Sequence, residues 1–176
     1  MPNELPPPVI WPDAKGLGPC VYIATSARLQ DWAVANGQGY LFKVGRSEMA
    51  PFRADTLNGR GWRTLRIDSQ PCLGFDDWQL VPCIDFLHPP RARKVERQII
   101  KRVRLIFEAF DPLPLIGERR PANGESEIFR IRSDQLDDAV AYAGTAVTNR
   151  FVAPSVQLII AAAVAEIGRY REATAR

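Results

Sequence analysis

The sequence predicts an α+β fold: a small, mostly antiparallel β-sheet flanked by helices, with a C-terminal helical extension. Two short β-forming runs, Cys20 to Thr25 and Tyr40 to Gly45, are separated by the turn chemistry of Asn36-Gly37-Gln38-Gly39, and read as a hairpin with a long connection. An amphipathic stretch from Arg91 to Phe110 reads as one long helix. A second apolar-periodic stretch, opened by Pro154-Ser155 and running to Tyr170, supplies the terminal helix.

The elements follow in order. Residues 1–17 are Pro-rich, run into the turn-forming Gly16-Leu17-Gly18-Pro19, and read as a tail or linker. Between the first two strands, Arg28 to Ala35 with Leu29, Trp32 and Ala33 suits a helical turn. Pro51 starts a short helix carrying Phe52, Ala54 and Leu57, and Gly59 stops it. Residues 60–78 have no clear period. Leu80 to Leu87 reads as a third strand, in which Pro82 favours an edge or a strand end. His88-Pro89-Pro90 punctuates before the long helix, and Pro112 and Pro114 end it. Ile128 to Ile131 is a fourth extended piece, and Ser133, with Asp134, Asp137 and Asp138 behind it, caps a further helix. The expected layout is a tail (1–17), one domain (18–132) and a helical extension (133–176).

Composition narrows the function classes. A chain of 176 residues with 46% apolar residues has the makings of one proper core. The net charge of +3 does not by itself call for nucleic acid. Its distribution is more telling, with Arg60, Arg63 and Arg66 in one cluster and Arg91, Arg93, Lys94, Arg97, Lys101, Arg102 and Arg104 in another. Three cysteines, Cys20, Cys72 and Cys83, with no CxxC and the single histidine His88, argue against a zinc site and for small buried residues in a reducing compartment. The longest apolar run, Leu158 to Ala165, is too short to span a bilayer, and the N-terminus lacks the regions of a signal peptide, so a cytoplasmic protein without a membrane partner is expected.

One residue breaks the pattern. Stepping about 100° per residue along the long helix places Val95, Ile99, Ile100, Val103, Ile106, Phe107 and Phe110 in one arc of about 140°. Glu96 falls inside that arc and every Lys and Arg outside it. An unpaired carboxylate in a core costs several kcal/mol, so such a position is kept for a partner, a metal ion or a proton-transfer role. The pattern alone leaves these three open, including a salt bridge to a core-facing arginine.

Val21-Tyr22-Ile23 on one strand, Lys43-Val44-Gly45 on the next, Arg53 with Leu57 on the following helix, Ala92-Glu96-Ile99 on the later helix and Gly124, Glu127 and Phe129 at the last strand form an ordered set. In these residues the chain resembles the GIY-YIG nuclease superfamily, in the bacterial and phage branch whose second signature is Lys-hydrophobic-Gly. The resemblance spans roughly residues 19–131. It implies that Glu96 ligates a single divalent ion, Mg²⁺ or Mn²⁺, and that Tyr22 orients or deprotonates the attacking water. It implies that Lys43 stands in the place of a second tyrosine, as a base or a phosphate holder, and that Arg53 neutralises charge on the transferring phosphoryl group. Asn123 and Glu127 are implied as support. Three departures stand out: Cys20 replaces the first glycine, the second tyrosine is absent, and Ile100 occupies the place of a histidine four residues after the glutamate. The implied activity is metal-dependent endonucleolytic hydrolysis of DNA, with Arg46, Arg93, Lys94 and Arg97 on the phosphate backbone. The alternatives are a nucleic-acid-binding module of this fold without turnover, and an interaction protein assembled through the last helix. The Val156, Ile159, Ile160, Val164 and Ile167 pattern there fits burial against the domain or, less readily, a homodimer surface.

Overall fold

The structure is a computed structural model and describes residues 6–60, 70–121, 125, 127–144 and 154–176. It is an α+β fold built on one six-stranded antiparallel sheet of order β1-β4-β2-β3-β6-β5. The strands are β1 (Val9–Ile10), β2 (Cys20–Ser26), β3 (Tyr40–Ser47), β4 (Trp78–Asp85), β5 (Glu108–Ala109) and β6 (Ile128–Ile131). The helices are α1 (Ala27–Ala35), α2 (Ala50–Leu57), α3 (Pro89–Ile106), α4 (Leu113–Ile116), α5 (Leu136–Gly144) and α6 (Pro154–Thr174).

β2 lies at the centre, paired with β3 on one side and β4 on the other, and both of its faces are covered. Its near-continuous apolar run follows from that, because a strand buried on both sides has no solvent face to make polar. The connection to β3 is a full helix: the Ser26 hydroxyl accepts the Leu29 N–H at 3.0 Å, and Asp77 takes the Arg28 N–H at 3.0 Å, so two donors of the first turn are satisfied. Pro82 sits just past the end of the two-residue β1, where β4 has no outer neighbour to receive a ladder N–H, and beside a register shift between Val21 and Tyr22.

Two sequence expectations change. Part of the Pro-rich segment is structural rather than a tail, since Val9 and Ile10 pair with Asp85 and Ile84, and the Lys15 and Gly16 N–H groups bond to the Asp85 carboxylate at 2.8 and 3.0 Å. The long helix stops at Ile106 instead of Phe110. Phe107 turns to extended backbone, and Glu108–Ala109 pairs with β6. Phe107 and Phe110 are both buried, but from the two ends of this strand and in different layers, Phe107 with the α3 and α6 core and Phe110 on the reverse face, while Ile106 is left 38% exposed.

The last helices close one face of the sheet. Val156, Ile159, Ile160, Ala162, Ala163 and Ile167 of α6 are buried with Val21, Ile23 and Val44 of the sheet and Ile99 and Val103 of α3. The apolar stripe that a homodimer through α6 would use is therefore spent on the chain's own core. Cys20, Cys72 and Cys83 are free and buried. Among the described residues no helix is long and apolar enough to cross a membrane.

Candidate active site

The site grows from the alternation of β3. Phe42 and Val44 face the α3–α6 core, while Leu41 and Lys43 face the other way, beside Tyr22 and Ala24 of β2. Tyr22 lies directly across from Gly45, and a Cβ at Gly45 would meet the tyrosine hydroxyl at 2.6 Å and the ring at 2.7 Å. The glycine of Lys-Val-Gly is thus a steric requirement: its absent side chain is the space through which the Tyr22 ring reaches the pocket. From α2, Arg53 Nε donates to that hydroxyl at 3.1 Å.

β6 pairs with β3 only as far as Ile128 opposite Lys43, with one further bond from the Val44 N–H to the Glu127 carbonyl at 3.1 Å. β3 continues to Ser47, leaving a notch on that edge. At Arg46, further along this edge, the carboxylate of Glu96 reaches over from α3, and the Arg46 backbone amide favours its ionised form. The Arg46 side chain forms an ion pair with the same group, Nε to Oε2 at 3.3 Å. This resolves the geometry of Glu96: its place in the apolar arc brings it to a sheet edge that has run out of partners. Beside it, Lys43 Nζ contacts Glu127 Oε2 at 3.0 Å, with the lysine fully buried and the Glu127 side chain 32% exposed.

The electrostatics follow from burial. It pushes the Tyr22 hydroxyl up to about 12, against the pull of Arg53 and with small additions from Glu127 and Glu96. Burial also lowers the Lys43 pKa, with Glu127 opposing. Glu96 is raised, first by burial and then by the Glu127 charge, with Arg46 and Lys43 opposing. These mutual influences put Tyr22, Lys43, Arg53, Glu96 and Glu127 within one electrostatic neighbourhood, drawn from β2, β3, α2, α3 and the lead into β6.

Other expected residues stand apart. Arg93, Lys94 and Arg97, with Lys101, Arg102 and Arg104, are exposed on the outer face of α3, and none is in an ion pair among the described residues. His88 is exposed at the start of α3. Asn123, Gly124, Arg63 and Arg66 lie outside the described residues. Sequence reasoning missed Glu125, which is buried, accepts the Leu73 N–H at 3.0 Å and holds Arg119 through two bonds of 2.6 and 2.8 Å. This pair flanks Cys72, whose thiol burial pushes up to about 11. The only local signal was an arginine six residues ahead in a polar, turn-rich segment, which many surfaces share.

The donor chemistry suits a hard divalent ion. Glu96 and Glu127 offer carboxylate oxygens. Among the described residues no group of three or more His, Cys, Asp or Glu side chains is gathered, so an ion here would rely on water and phosphate oxygens for its remaining ligands, as Mg²⁺ commonly does. Comparison with family models, curated proteins and solved structures gives no match, so the functional reading rests on this geometry.

Proposed function

We propose that this protein is a metal-dependent endonuclease that hydrolyses DNA phosphodiester bonds, as the GIY-YIG resemblance implies. The observation that supports the reading is the gathering of Tyr22, Lys43, Arg53 and Glu96 from four different elements into one electrostatic neighbourhood, with Tyr22 and Lys43 fully buried. A purely structural chain has little reason to bury a lysine, a tyrosine hydroxyl and two arginine contacts at one end of its sheet.

The roles follow from the environments. Tyr22, held protonated at neutral pH by burial, orients the attacking water instead of deprotonating it. Arg53, fixed on that hydroxyl, faces the charge that develops on the phosphoryl group. Lys43, whose charged form burial disfavours, is the group that takes the water's proton, which it does as the free amine. Glu96, with Glu127 nearby, would hold Mg²⁺ or Mn²⁺, which when bound polarises the scissile phosphate and stabilises the leaving oxygen. The outer face of α3 lies along the flanking backbone through Arg93, Lys94 and Arg97, giving salt-dependent affinity that is largely independent of sequence.

One observation favours the second reading, a nucleic-acid-binding module without turnover: both carboxylates already have cationic partners. Incubation of supercoiled plasmid with the purified protein, with Mg²⁺ or Mn²⁺ or with chelator, separates the two. Metal-dependent nicking that disappears in Glu96→Ala is expected. No nicking under any metal condition, alongside DNA retention, supports the binding module; nicking that survives Glu96→Ala overturns the site.

A further inference from the structure

The contact between Arg46 and Glu96 poses a difficulty for the endonuclease reading, and its resolution has a measurable consequence. Arg46 forms an ion pair with the Glu96 carboxylate, Nε to Oε2 at 3.3 Å. The Glu96 side chain is only 12% exposed, so this arginine occupies much of the approach to it. The second carboxylate, Glu127, is in contact with Lys43. In this arrangement the cations Lys43, Arg46 and Arg53 outnumber Glu96 and Glu127, and a lone divalent ion would enter a site that is already positive.

A phosphodiester reverses that balance. Arg46 is the more exposed member of the pair, with 31% of its side chain open to solvent against 12% for Glu96, whereas Lys43 is fully buried. A guanidinium binds phosphate in a two-pronged geometry that it cannot complete on Glu96 through Nε alone. Arg46 lies within β3, so its backbone is held by the strand and only the guanidinium has to move.

Building on the endonuclease reading, we propose that Arg46 is an exchange residue. It holds Glu96 while no nucleic acid is bound and swings its guanidinium onto a backbone phosphate when DNA arrives, opening the Glu96 carboxylate to the divalent ion. Metal and phosphodiester then bind as a coupled pair, each raising the affinity for the other by the same factor. The arrangement keeps the site from loading metal, and from acting on adventitious phosphoesters, until a backbone lies in place.

The experiment is a Mn²⁺ titration of the full chain followed by the spin-resonance signal of free Mn²⁺, with and without a 12-base-pair duplex, with the duplex alone as the blank. Wild type is expected to bind Mn²⁺ weakly by itself and at least tenfold more tightly with the duplex. Arg46→Met is expected to bind Mn²⁺ alone at least tenfold more tightly than wild type and to show almost no further gain from the duplex. Arg46→Lys, which keeps the charge but lacks the fork, should fall between them, and serves as the second variant if Arg46→Met melts early. Glu96→Gln should abolish the specific Mn²⁺ site in every case. If Arg46→Met and wild type bind Mn²⁺ equally while Glu96→Gln still abolishes binding, the exchange role is overturned and the endonuclease reading stands. If no form binds Mn²⁺ with or without duplex, both fall.

Discussion

The two faces of one sheet are built on opposite terms. Against α3, α5 and α6 the strands present Val21, Ile23, Phe42 and Val44 to an apolar layer that includes Ile99, Ile159 and Ile160. On the reverse face the same strands bury Tyr22 and Lys43, with Gln30, Asn58 and Glu125 near by. Gln30 and Asn58 are fully used as struts, bonding Leu41 and Trp78 at both amide and carbonyl. Lys43 and Tyr22 are different: burial shifts both away from their charged forms, so they are held where their ionisation is costly. One face makes the fold stable, and on the proposed function the other spends some of that stability on a site.

The largest effect expected from breaking this division is on the apolar face. Ile159 is fully buried in the middle of α6, and Ile159→Ala removes its transfer energy and leaves a cavity, a loss of about 2–5 kcal/mol. The denaturant midpoint should drop accordingly. Plasmid nicking by the folded fraction at low temperature should stay close to wild type, because Ile159 is buried in the layer on the opposite face from Tyr22. Nicking lost in proportion beyond the folded fraction would mean that the two faces are coupled.

The next change acts on the other face without altering any charge. Gly45→Ala places a methyl group where Tyr22 passes, 2.6 Å from its hydroxyl. The tyrosine must move off Arg53, at a cost of about 1–3 kcal/mol for overpacking. Cleavage should fall far more than stability, and Gly45→Ala combined with Tyr22→Phe should lose no more activity than either alone. Additive losses in that cycle would show that the glycine matters for the strand and not for the tyrosine.

Legibility in the sequence divides along the same line. The apolar face was readable because helical and strand periods report burial directly: α6's Val156, Ile159, Ile160 and Ile167 and α3's Ile99 and Val103 lie where their spacing puts them. The end of α3 was not, since Phe107 and Phe110 fit the helical arc and only the pairing of Glu108–Ala109 with β6, a non-local event, pulls them off it. In the site, Glu96 announced itself as a charge in an apolar arc, but its partner Arg46 did not. That partner exists because β6 stops short of Arg46, and strand register cannot be counted from either segment alone. The Lys43–Glu127 contact, 84 residues apart, is equally a product of register.

A smaller effect tests whether the Lys43–Glu127 contact belongs with the struts or with the site. Replacing both with neutral groups of similar shape, Lys43→Met with Glu127→Gln, removes a desolvated ammonium along with its counter-ion. Such exchanges are often neutral or stabilising, and a change between zero and about 1 kcal/mol in favour of the variant is expected. Cleavage should vanish. A drop in melting temperature, in place of no change or a rise, would assign the pair to the scaffold and remove the argument for Lys43 as a base.

The smallest effect is also the most diagnostic, because it depends on pH and on one atom. Burial and the nearby Glu127 charge raise Glu96 above the ordinary 4.5 despite the help of Arg46. A raised carboxyl contributes stability that is present below the unfolded value and lost as pH rises through the folded one. Ionised Glu96 is therefore a net cost to the fold, and Glu96→Gln should escape it. Melting curves of the two proteins should nearly coincide around pH 4, with the variant drawing ahead as the pH climbs through the raised value and keeping a constant lead at neutral pH. The Arg46 contact alone would predict the reverse, a variant that is weaker at neutral pH because it has lost an ion pair. If that reverse is found, Glu96 is a strut like Gln30 and Asn58, and the polar face is scaffold throughout. If the variant leads, the fold carries an ionised carboxylate that its stability would be better without, and the reason for keeping it lies in what the notch binds.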